Sequence, residues 1–158
     1  MAPYLNPANL VLALAAGVLV ATAITDLKRY TISNTYILAL AVLFIAYTAV
    51  TGRWSVLLWN VGFATLLFLV LLFFYSRSWM GGGDVKMLTV AFLWIGTDCA
   101  LLFAILLCAF VSIHGAAAKL NWLPSQKTAG DKRARIAVAP SVAAALIGTF
   151  LLGCLYRV

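Results

Sequence analysis

Trp79-Met80-Gly81-Gly82-Gly83-Asp84-Val85-Lys86-Met87 is the stretch on which the reading of this chain turns. Three glycines lead into an acid, in a sequence with four acids, all of them aspartate. The surroundings are apolar: of 158 residues, 65% are hydrophobic and 9% charged. Soluble domains are about 45–50% apolar and about 25% charged. An acid placed in such a chain is either at a membrane surface or inside a membrane, where ionisable groups are costly and mark function.

Working outward, six apolar runs account for most of the length: residues 9–25, 34–50, 54–75, 85–96, 99–118 and 138–156. A helix needs about 20 residues to cross a bilayer. The expected fold is all-α, a polytopic membrane protein of about six transmembrane helices. It forms a single transmembrane domain over residues 1–158, with no soluble domain. The first run could be taken for a signal peptide, but no Lys or Arg precedes it, and signal peptides begin basic. It is expected to be a true span. Ser33 or Asn34 is placed to cap the second helix. The fourth run has about 12 residues, roughly 18 Å as a helix, against a hydrocarbon core of about 30 Å. This places Asp84 at some depth, where irregular backbone survives only inside protein or beside water.

The net charge of +7 is distributed by topology. With the N-terminus outside, Lys28, Arg29, Arg77, Lys86, Lys119, Lys127, Lys132, Arg133 and Arg135 fall on the inner side, and Arg53 and Arg157 on the outer. Cytoplasmic loops collect Lys and Arg, so both termini are expected outside, with Asp26 and Asp84 together at the cytoplasmic face of the cell membrane. No basic patch with interleaved aromatics exists to cradle a strand, so no nucleic acid is expected as a partner; the partner surface is the lipid bilayer. Cys99, Cys108 and Cys154 lack paired spacing and are expected to be buried small hydrophobes, with no metal site and no redox pair.

Each aspartate has an ordinary structural explanation. Asp26 could pair with Arg29 one turn on, and Asp84 could be the N-cap of the fourth helix. Together they suggest more. Two carboxylates in close contact share a proton. One can then take a proton from water while the other polarises a carbonyl, with no cofactor, metal or nucleophilic serine. The glycines before Asp84 provide close backbone approach and unusual dihedrals beside the acid. His114, the only histidine, is a candidate base, but one histidine near a helix end is more simply an interfacial residue.

Gly81-Gly82-Gly83-Asp84-Val85-Lys86-Met87 resembles the G-x-G-D-x-K motif of the type IV prepilin peptidases. Asp26-Leu27-Lys28-Arg29-Tyr30-Thr31-Ile32-Ser33-Asn34 is similar to the family's other signature, with Ser33 where proline is common. Ile136-Ala137-Val138-Ala139-Pro140 resembles a third, weaker feature, with Ala137 in place of another common proline. The resemblance implies an intramembrane aspartyl endopeptidase with catalytic residues Asp26 and Asp84, and Gly81, Gly83, Lys86, Lys28 and Asn34 as motif support or substrate contacts. It implies removal of the short basic leader from a prepilin or pseudopilin. Larger members carry a methyltransferase domain with a four-cysteine zinc site. This chain resembles the short, peptidase-only kind associated with tight-adherence (Flp) pili, for which N-methylation is not expected. An archaeal-type preflagellin peptidase shares the motif. A small proton-coupled transporter is the alternative of a different class.

Overall fold

The computed structural model describes residues 6–29, 31–120 and 138–153. It contains six helices: α1 (Pro7–Arg29), α2 (Asn34–Thr51), α3 (Trp54–Ser76), α4 (Gly82–Ile95), α5 (Ala100–Lys119) and α6 (Ala139–Leu151), with no strand among the described residues. Four of them, α1, α2, α3 and α5, are long and apolar enough to cross a membrane. The two shorter ones, α4 and α6, pack inside the group they form. The last helix ends at Leu151, short of the Tyr156 expected for its run, and the basic stretch Lys119–Arg135 lies outside the described residues from position 121 on.

Local sequence explains most helix ends. Pro7 opens α1, at a position where a missing N–H costs nothing. Ser33 caps α2, its side chain accepting the N–H of Thr35 at 3.3 Å. Gly52 closes α2 in the left-handed region, φ +69°, and returns its N–H to Thr48. Two of the departures from the sequence-based limits bear on the acids. The first helix continues past Thr25 to Arg29, so Asp26 is inside its last turn. The fourth begins at Gly82 rather than Val85, because tertiary packing offsets the poor helix propensity of two glycines.

The arrangement is a diagonal one. α1 packs on α2 and α6, and α4 packs on the same two helices from the other side. α1 and α4 make no extensive contact with each other. α3 lies against α4 and α5 against α6. α3 buries only Asn60 and Ala64, and sends Leu58, Trp59, Leu66 and Leu69 outward. In water such a face would be a liability; in lipid it is the expected solvent contact.

Trp94 holds the middle of the bundle. It is fully buried, donates its indole N–H to the Leu40 carbonyl at 3.0 Å, and packs against Phe44, Tyr47 and Phe150. At the adjacent residue, the buried Asn60 amide on α3 donates to the Leu93 carbonyl at 3.0 Å. Cys99 is disulfide-bonded, which corrects the expectation of three unpaired cysteines. Cys108 is free and exposed rather than buried, and Cys154 lies outside the described residues. Membership of an apolar run does not reveal which turns the fold brings together.

Gly96 ends α4 at φ +62° and ψ −162°, a conformation essentially restricted to glycine. A Cβ there would collide with the Asn60 amide. Gly96→Ala is therefore expected to lower stability by about 1–3 kcal/mol. Gly62→Ala, where a Cβ meets nothing within 4 Å, serves as the control. Thermal unfolding in detergent should show a clear drop in Tm for the first variant and little change for the second.

Candidate active site

Asp26 occupies the last turn of α1 and is 5% exposed. A carboxylate there is opposed by the negative end of its own helix. Another helix compensates. Its Oδ2 accepts the backbone N–H of Ala139 at 3.1 Å, at the start of α6. The N-terminus of α6 has no side-chain cap, since Val138 occupies that position, and Pro140 has no N–H to offer. The buried acid and the uncapped helix end thus satisfy each other. Asp26 turns to α6 in place of the local partner considered for it, Arg29.

Asp84 is the third residue of α4 and half-buried. The N-cap is Gly81, in extended backbone at φ −75°, ψ 147°. The Asp84 carboxylate reaches back to accept the Gly81 N–H, the acid half of a capping box. Asp84 therefore caps its helix from inside the first turn, which corrects the expectation that it is itself the N-cap. The glycines also differ from expectation in one respect. None of Gly81, Gly82 and Gly83 has positive φ, so unusual dihedrals are not their use. Close approach is. A Cβ on Gly81 would lie 3.0 Å from Asp84 Oδ2, one on Gly82 would lie 3.3 Å from the Tyr75 ring, and one on Gly83 would lie 3.4 Å from Ile32.

These contacts bring the two sequence motifs to one end of the bundle. Asp84 lies within electrostatic range of Asp26. Ile32 packs beside Gly83, and Lys86 Nζ donates to Asn34 Oδ1 at 3.0 Å. Lys28 is exposed in the last turn of α1. Two further groups lie at this site: Ala139, within the weaker Ile136–Pro140 feature, and His114, the histidine weighed as a base. The Ala139 N–H holds Asp26, and His114 on α5 lies within electrostatic range of it. Pro140 was the available signal for the first, since proline in a first turn marks a helix end with free N–H groups. For His114 the only signal was its position near the inner end of the fifth run.

A family model described as the type IV leader peptidase family matches residues 13–116. The match covers well over half of the chain and includes both aspartates, and the chain belongs to this family. It is a peptidase built on a multi-pass membrane scaffold. No curated protein and no solved structure matches it. The helix that donates to Asp26, α6, lies beyond the matched segment.

The glycine geometry predicts an asymmetry. Gly81→Ala must displace the Asp84 carboxylate by a few tenths of an ångström, whereas the methyl of Gly83→Ala meets Ile32 at ordinary contact distance. Misplacing a reacting group by 1 Å costs on the order of 100-fold. The expected outcome is a peptidase rate about tenfold lower for Gly81→Ala and within about twofold of wild type for Gly83→Ala, in a leader-cleavage assay.

Proposed function

We propose that this protein is an intramembrane aspartyl endopeptidase that removes the short basic leader of a prepilin or pseudopilin, of the tight-adherence (Flp) class, at the cytoplasmic face. The observation that carries the reading is that Asp26 of α1 and Asp84 of α4 lie within electrostatic range of each other at one end of the bundle. Family membership supports peptide hydrolysis as the reaction. Both acids at one end favour chemistry at one membrane face over a proton path across the membrane.

The apolar helix of the substrate lies among the spans, with its leader junction at the two aspartates. The ionised carboxylate takes a proton from water as the oxygen attacks the scissile carbonyl. The protonated carboxyl gives its proton to the carbonyl oxygen. The tetrahedral diol then collapses, the C–N bond breaks, and the leaving amine takes up a proton. Two carboxylates sharing one proton complete this cycle as a unit. The reaction assigned to the site is hydrolysis alone, and it uses no cofactor.

Two features support the orientation. Lys28, Arg29, Arg77 and Lys86 gather at the end that holds the aspartates. Cys99, in the turn before α5 at the opposite end, is disulfide-bonded, and disulfides persist on the oxidising side of a membrane.

Asp26→Asn and Asp84→Asn, each reconstituted in liposomes with a matched prepilin, are expected to reduce cleavage by about a thousandfold or more, as loss of a catalytic group does. Product mass identifies the bond cut. Near-wild-type processing by either variant would rule the pair out. Orientation is checked separately with a membrane-impermeant maleimide on intact cells lacking Cys108. A cysteine replacing Thr97 should label from outside, and one replacing Trp79 only after permeabilisation.

A further inference from the structure

We propose that the Lys86–Asn34 hydrogen bond is a latch that sets the distance between the two aspartates, making Lys86 and Asn34 positioning residues. The inference rests on the reading of Asp26 and Asp84 as the reacting pair. It begins from the diagonal arrangement. The backbones of α1 and α4 make no extensive close approach, so the distance between their carboxylates depends largely on the helices that both pack against. Their separation is transmitted through α2 and α6.

On the α6 side the link is direct, because Asp26 itself accepts the Ala139 N–H. On the α2 side, α4 is tied at mid-bundle by the Trp94 indole and the Leu40 carbonyl. That tie lies ten residues, nearly three turns, from Asp84. The first turn of α4 contains two glycines, which have little side-chain surface to pack, and its apolar packing begins with the buried Val85 and Met87. There, a Cβ on Gly83 would find the Ile32 side chain nearest to it, and the charged hydrogen bond from Lys86 Nζ to Asn34 Oδ1 is a polar link to α2.

Asn34 is the first residue of α2, eight positions after Asp26. Lys86 is two positions after Asp84. At that spacing on a helix the two side chains diverge, so Asp84 can face Asp26 while Lys86 reaches α2. The latch therefore joins the two motifs without occupying the space between the acids. Both partners are exposed, so the bond adds little to global stability, and its effect is positional.

Purified enzyme in nanodiscs with a matched prepilin tests this. Lys86→Met and Asn34→Leu are each expected to lower kcat about tenfold with KM within about twofold. The double variant should be no worse than either single, since both remove one bond. Lys86→Arg should recover most of the loss. Independent factors that multiply, or a rise in KM with kcat intact, would overturn the latch. So would a lower Tm with unchanged kcat per folded molecule.

A measurement without turnover separates this proposal from the one beneath it. Spin labels on cysteines replacing Thr35 and Thr89, in a background lacking Cys108, report the spacing of the N-terminal half of α4 from the first turn of α2. A narrow distance distribution that broadens in Lys86→Met supports the latch. An unchanged distribution refutes it, whether or not the wild-type enzyme cuts the substrate.

Discussion

A carboxylate almost completely removed from solvent has to be hydrogen-bonded, and the meeting of Asp26 with the first N–H of α6 is the constraint from which much of this structure follows. The bond solves two problems together. It gives a buried acid a donor and the favourable end of a helix dipole, and it satisfies a helix end that has no side-chain cap. Because Asp26 closes α1 and Ala139 opens α6, the contact also fixes where the chain returns after its long excursion through α2 to α5. Remove it, and both an acid and a helix terminus lose their partners in a low-dielectric surrounding.

The second aspartate is held by a different device. Asp84 caps its own helix from the third position and depends on Gly81 having no side chain. One acid is therefore held from across the bundle and the other from within its own turn. This asymmetry suits a pair that must approach without permanent collapse onto each other. α2 and α6 stand between α1 and α4, and Trp94 of α4, with its aromatic neighbours on α2 and α6, gives the packing its rigidity. The outer helices α3 and α5 contribute mainly lipid-facing surface and shield α4 and α6.

This division suits the proposed aspartyl mechanism. That chemistry would require two carboxylates, a water and an extended strand of substrate. The glycines leave the Asp84 side open to close approach, while most of the apolar exterior is available to hydrocarbon, lipid or substrate alike. For the proposed mechanism a small scaffold suffices, because it asks for proton transfer through two side chains and little else.

Much of this was legible in the chain itself. Apolar runs near bilayer length, separated by basic turns, dictated an all-helical membrane protein, because unpaired backbone cannot remain in lipid. The Gly81–Met87 and Asp26–Asn34 motifs marked the acids, because charge in such a run is too costly to be incidental. Helix limits were less legible, since packing drew Gly82 and Gly83 into α4 and carried α1 past Asp26. Pairings between distant residues were not legible at all. That Ala139 holds Asp26, that His114 comes within range of it, that Lys86 reaches Asn34 and that Cys99 is bonded are outcomes of how six helices cross. Periodicity and composition specify which residues enter the membrane and at which end each lies. Only the crossing geometry decides which side chains at that end come to touch, because contact depends on neighbours many turns away in the chain.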